Sequence, residues 1–316
     1  MTFGAGLFFL KLVGQLTLLW VSFLLAHGLF AVWRSGSPAS PARLLLERTL
    51  ERFLSGERTG NIFHSLVTLT PMMVAFTVVK DNIAVIHPFA WDKTFVHWDR
   101  LLGGGMEPWQ ILQPLLGYPA ITIVLNFAYH LWFFLMFGVL LWQAFSPQTT
   151  VLRMQFMLSF CFAWFFVGAM LALIFSSAGP CFYDRLFPDH PLFASQMAYL
   201  NSIGPKFIWS LAVQNDLWNS YITGSGEITG ISAMPSMHVT VATLLALLGW
   251  RKNTRLGIAF SIFAAMILLG SIHLAWHYAV DGLAGVLLAL VCWWIGGYAA
   301  RNWCGLPAEE RSIEPR

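Results

Sequence analysis

The sequence predicts an all-α fold, a polytopic transmembrane helix bundle of about seven spans. Three observations predict it. Of the 316 residues, 57% are hydrophobic and only 10% are charged. A soluble domain carries about a quarter charged residues, so this chain cannot clothe a water-facing surface. The apolar residues gather into runs of ~20, the helix length that crosses a hydrocarbon core of about 30 Å. Lysine and arginine are concentrated in the segments between those runs. Mean hydropathy is +0.66. The net charge of +3, with no basic tract, argues against a nucleic-acid partner. The four cysteines, Cys161, Cys181, Cys292 and Cys304, form neither a CxxC zinc motif nor a disulfide framework.

The expected spans are 5–33, 62–79, 119–144, 152–176, 234–250, 256–275 and 278–299. Lys80 closes the second, and Arg251-Lys252-Asn253-Thr254-Arg255 divides the fifth from the sixth. The first lacks a basic leading region and a small-residue cleavage site, so it reads as a retained helix rather than a signal peptide. Segment 41–58 mixes Leu and Phe with Arg and Glu, which suits a helix lying on a membrane interface. The chain then divides into an N-terminal span with its interfacial segment (1–60), a membrane domain (61–300) and a tail (301–316).

Lysine and arginine set the orientation. Twelve fall in 34–61, at Arg153, in 251–255 and in the tail; five, Lys80, Lys93, Arg100, Arg185 and Lys206, fall in the opposite loops. This split puts the C-terminus in the cytoplasm and the long loops 80–118 and 177–233 outside. Trp91, Trp98 and Trp109 place the first of these loops at headgroup depth.

Two strings carry the candidate chemistry: Met234-Pro235-Ser236-Met237-His238 and His273-Leu274-Ala275-Trp276-His277-Tyr278-Ala279-Val280-Asp281. Each lies at the edge of an apolar span, where ionisable groups are costly without a purpose. The fifth span starts at the outer face and the sixth returns to it, so the topology brings both strings to one side. His277 and Asp281, four apart, share a face if the backbone stays helical. A carboxylate on one imidazole nitrogen fixes the tautomer and strengthens the other nitrogen as a nucleophile. His238 suits a general acid, and Ser236 starts a helix where backbone N–H groups favour phosphate.

Pro235-Ser236-Met237-His238 and His277-x-x-x-Asp281 resemble the second and third signature motifs of the type 2 phosphatidic acid phosphatase superfamily, which includes vanadium haloperoxidases. The resemblance implies a six-helix core, supplied here by the second to seventh spans, with the site on the outer face. It implies that His277 forms a phosphohistidine, Asp281 orients it, His238 protonates the leaving group and Ser236 helps hold phosphate. No metal or other cofactor enters that scheme. Two departures stand out. Ser271 occupies the third-motif position, six residues before the nucleophile, where an arginine is usual, and the Lys-x6-Arg-Pro first motif is absent. In place of the first motif, Ser176-Ser177-Ala178-Gly179-Pro180-Cys181-Phe182-Tyr183-Asp184-Arg185 resembles the degenerate motif of the inositol phosphorylceramide synthase branch, as does Asp99-Arg100-Leu101-Leu102-Gly103-Gly104.

The expected activity is therefore transfer of a phosphoryl or phospho-headgroup from a phospholipid or lipid phosphate to water or a lipid alcohol, in a bacterial inner membrane or a plasma membrane. Arg185, after a Gly-Pro turn, is the expected phosphate clamp. His273, Tyr183 and His130, the last grouped with Asn126 and Tyr129, are candidates for the surrounding shell. Two rivals stay open. His273, His277 and Asp281 at i, i+4 and i+8 have a spacing compatible with zinc. Seven spans with intramembrane His and Asp also suit a transporter, although no internal repeat is apparent.

Overall fold

The computed structural model describes residues 56–144, 146, 150–226 and 229–302, with positions 40 and 43. The expected first span, almost all of segment 41–58 and the tail beyond 302 lie outside these residues. Eleven helices and no strand occur among them, counting the continuous run 151–174 as one helix. They are α1 (Gly56–Ile86), α2 (Asp92–Leu102), α3 (Pro108–Leu116), α4 (Pro119–Ala144), α5 (Val151–Ile174), α6 (Pro180–Leu186), α7 (Ala194–Ile203), α8 (Trp209–Thr223), α9 (Met237–Lys252), α10 (Thr254–His273) and α11 (Ala279–Asn302). Five are long and apolar enough to cross a membrane: Phe63–Ile86 of α1, then α4, α5, α10 and α11. The chain is an integral membrane protein.

Helix α9 lies at the centre and touches α4, α5, α10 and α11. Val239, Val241, Ala242, Leu244, Leu245 and Leu248 are fully buried on several faces of it, which explains its apolar character all round. It has 16 residues, about 24 Å at 1.5 Å per residue. Gly285 of α11 lets that helix close on the start of α9: a Cβ there would meet the Ser236 carbonyl oxygen at 2.8 Å. Small residues serve close helix approach in membranes in this way. On the outside, Phe63, Val67, Val78, Leu287 and Trp294 are exposed, as lipid-facing side chains must be.

Two expectations are corrected. The second span does not stop at Val79. After Lys80-Asp81-Asn82 the apolar pattern resumes through Ile83–Ile86, Ile83 is fully buried, and α1 continues to Ile86. Lys80 is thus a helical residue of α1, not a loop residue. The segment expected as an interfacial loop contains α2 and α3, which pack on the bundle through Phe95, Val96 and Trp109.

Helix α5 changes character midway, with Ala163–Leu171 π-helical. Such wide turns recur at functional sites, and here Trp164 and Gly168 face a cavity. The ends of α1, α5 and α10 and the starts of α4, α9 and α11 share one end of the bundle, where α2, α3 and α6–α8 gather.

Candidate active site

Helix α10 ends at His273 and α11 begins at Ala279, so His277 lies on a non-helical bridge. The bridge turns through Ala275, which adopts φ 60°, an uncommon conformation for a residue with a Cβ. A buried helix end needs partners for its last carbonyls, and this one has them. Ser271 O accepts from Trp276 N (2.9 Å) and His277 N (3.1 Å). The Gln196 amide of α7 donates to Ile272 O at 2.7 Å and His273 O at 3.1 Å. The Gln214 amide of α8 donates to Leu274 O at 3.0 Å, and Cys181 N to Ala275 O at 2.9 Å. Trp276 Nε1 donates to Ser210 Oγ at 3.1 Å. The bridge is thereby held from three neighbouring helices.

The first donors of α11 are matched too. Asp99 of α2 accepts from Ala279 N at 2.8 Å and Val280 N at 2.9 Å. Asp281, at the third helical position, accepts from Tyr278 N at 3.0 Å, as in half of a capping box. The same Asp281 oxygen lies 3.4 Å from His277 Nδ1, with both side chains buried. This is slightly longer than an ordinary hydrogen bond. His277 Nδ1 has no closer partner, and the His277 side chain lines a cavity.

Asp92, one residue inside α2, accepts from Ala178 N, Gly179 N at 2.9 Å and Tyr278 Oη at 2.8 Å. Gly179 has φ 95°, and a Cβ there would meet Trp276 O at 2.7 Å, so only glycine fits the passage. Burial raises the Asp92 carboxyl against the opposing pull of those donors. Burial likewise pushes Asp99 up to about 7, with its two amide donors pulling it down and Asp281 and Glu107 adding to the rise. Glu107 itself holds Arg100, Nε to Oε1, at 2.6 Å.

Facing this support, His238 occupies the first turn of α9. Its ring stacks on Tyr129 with centroids 4.2 Å apart and packs against Trp132 at the same 4.2 Å. Trp132 Nε1 donates to the His238 carbonyl at 2.9 Å. The His238 and His277 ring centroids are 6.4 Å apart. Ser236 caps α9 at 3.5 Å to Val239 N, and its own N–H donates to Asp281 O at 3.1 Å. Both histidines open onto a cavity of about 430 Å³ whose other walls are largely aromatic and apolar, among them Phe76, Phe133, Phe137 and Trp164. The set offers an imidazole backed by a carboxylate, a second imidazole 6.4 Å from it between ring centroids, and room for an apolar ligand.

A family model described as the PAP2 superfamily matches residues 93–295. The chain belongs to the PAP2 superfamily. Membership points to phosphatase or phosphotransferase chemistry on phosphate esters. No curated protein and no solved structure gives a match. The PAP2 match runs from α2 into α11 and includes both histidine strings.

The remaining expected residues of this PAP2 chain are placed as follows. Ser271 is buried with its hydroxyl donating to Leu268 O at 2.7 Å, inside its own helix, so what it offers the site is its backbone carbonyl. Arg185 is exposed; it donates to Asn215 Oδ1 at 2.7 Å and lies over Trp218, whose ring stacks on the cavity-lining Phe182. It therefore stands a layer behind the cavity wall. Tyr183 packs between Phe187 and Phe193, in the cluster with Phe95 and Tyr278. His273 Nε2 bonds Thr122 Oγ1 at 2.9 Å, away from the cavity. The helix break also separates His273 from the face that the zinc spacing required. His130 lines the cavity, bonded to Asn126 O at 2.8 Å. Asn126 ties down α8 by accepting from Ser210.

Sequence reasoning missed Asp92, Gln196, Gln214 and the position of Lys80, and it quoted Asp99 only within a motif, without its role at the start of α11. Asp92 and Asp99 did carry a signal: seven residues apart, two turns, they share one face of α2 with Phe95 and Val96. The glutamines carried none, since their partners are backbone carbonyls 60–77 residues away.

Proposed function

We propose that this protein transfers a phosphoryl or phospho-headgroup of a membrane lipid through a phosphohistidine on His277, as inositol phosphorylceramide synthases do. The supporting observation is His277, backed by Asp281 at 3.4 Å and faced by His238 at 6.4 Å, opening onto a largely apolar cavity. The free His277 nitrogen attacks phosphorus as the bond to the leaving oxygen breaks, and His238 gives that oxygen its proton. In the second half a hydroxyl attacks the phosphohistidine, the P–N bond breaks, and His238 takes the hydroxyl proton. Asp281 holds the imidazole in one tautomer and supports the positive charge it gains. The apolar walls favour a lipid alcohol over water as acceptor. The lysine and arginine distribution supports a site on the non-cytoplasmic face.

The test incubates purified protein with a panel of phospholipids, with and without ceramide or diacylglycerol, and follows products by mass spectrometry. A new headgroup lipid is expected, together with loss of all turnover in folded His277→Ala and His238→Ala proteins. Phosphate release alone would make water the acceptor, and retained turnover in His277→Ala would overturn the mechanism.

A further inference from the structure

A phosphoryl group in flight spreads negative charge over its non-bridging oxygens, and a site with few water molecules must answer it with fixed positive charge. Neither histidine can hold the non-bridging oxygens: His238 gives its proton away, and the charge that His277 gains on bonding phosphorus is answered by Asp281. Among the described residues that line the cavity, Lys80 is the only lysine or arginine, and it shares that cavity with both histidines. It lies outside the stretch matched to the superfamily, 93–295.

The local structure fixes Lys80 in place. Gly230, at φ +82°, crosses α1 there, and a Cβ would meet Lys80 Cγ at 2.8 Å and Lys80 O at 2.9 Å. Both the backbone conformation and the lack of space demand glycine. Beside it, Thr229 Oγ1 donates to Asp81 Oδ1 at 2.5 Å. The chain from Gly230 then supplies Ile231, Ser232 and Pro235 to the cavity wall before Ser236 starts α9. The segment that sets the position of His238 is thus seated on the stem of Lys80. An ammonium six residues inside the end of a spanning helix is costly unless it meets a counter-charge or reaches the interface. Asp81 beside it supplies part of that counter-charge, and an anionic phosphate in the cavity would supply the rest on the side that faces the histidines.

We propose that Lys80 is the phosphate-binding residue of this site, pairing with the non-bridging oxygens of the group that moves to His277. This rests on the phosphohistidine reading above. The test titrates orthovanadate, a phosphate-shaped anion, into purified full-length protein and follows intrinsic tryptophan fluorescence, since Trp132, Trp164 and Trp276 line the cavity. Lys80→Gln should weaken vanadate binding about 10- to 100-fold, the size of a hydrogen bond to a charged group. Lys80→Arg should stay within about threefold of the parent protein, by keeping the charge, and Arg185→Ala should change little. Lys80→Met, which keeps the length of the stem, replaces Lys80→Gln if that variant does not elute as folded protein. Unchanged affinity in the neutral Lys80 variant, or loss in Arg185→Ala instead, would overturn the assignment. If the parent protein neither binds vanadate nor forms a phosphohistidine, the broader reading fails as well. A parent protein that does both, beside an unaffected Lys80 variant, removes Lys80 alone.

Discussion

The two sides of His277 are built from opposite materials. Behind it, α2, α7 and α8 present Asp92, Asp99, Gln196 and Gln214, each bonded to main chain of the bridge, of its flanks in α10 and α11 or of the adjoining 178–179 segment. In front, the π-helical part of α5 with α1 and α4 presents Phe76, Phe133, Phe137, Trp164 and Gly168 around an open cavity. The rear is rich in directional bonds to main chain, which fix the path of the bridge that carries His277. The front is held by contacts that tolerate different shapes. One side sets geometry, and the other leaves a largely apolar space.

This division can be broken by substitutions on either side. The largest effect is expected behind His277. Asp281→Asn keeps the shape but removes the charge that supports the imidazole, and turnover should fall about 10²–10⁴-fold, the range of general acid–base effects. Steady-state kinetics of folded protein should show this in kcat with KM little moved. A loss confined to KM would place Asp281 in binding instead. In front, the Gly168 Cβ position lies 2.9 Å from Phe76 and 3.2 Å from Met237 sulfur, both side chains able to shift. Gly168→Leu should fill part of the cavity and reduce kcat/KM on long-chain lipids by about 10-fold, an effect of a few buried methylenes. A soluble short-chain phosphate ester should be nearly unaffected. Equal losses on both substrates would show that the front wall, too, sets geometry.

The smallest effect concerns pH. Burial holds the Asp99 carboxyl near 7, above its ordinary value, so between about pH 4 and pH 7 the folded protein keeps a proton there that the unfolded chain has released. That contribution to stability is full at the acid end and is lost as pH rises through 7. Asp99→Asn cannot ionise, and thermal melts from pH 5 to pH 8 should show a shallower decline than in the parent protein. Parallel declines would mean that other groups carry the dependence.

Much of the bundle was legible because a membrane span is a one-dimensional signal: the run of apolar residues and its length suffice. The meeting of His238 with His277 was legible for a related reason, since alternating spans return to the same face. The boundary at Lys80 was misread because a charge looks like the end of a span, whereas Ile83, buried three residues later, shows that the helix continues. The rear support was hidden more deeply. Asp92 reaches the amides of Ala178 and Gly179 and the hydroxyl of Tyr278, 86 to 186 residues away. No local periodicity encodes such pairings. Arg185 illustrates the converse: its Gly-Pro context was correct, yet Phe182 and Trp218 stand between it and the cavity.

Helix α9, with 16 residues, measures about 24 Å against a hydrocarbon layer of about 30 Å. Longer helices, α4, α5, α10 and α11, pack around it, so neighbouring protein rather than lipid sets the match along its length. Its first turn is fixed instead by the chain that precedes it, where Ser236 N donates to Asp281 O at 3.1 Å. The residues of the candidate site are therefore sheltered by protein, and a change of bilayer would reach them only through the outer helices.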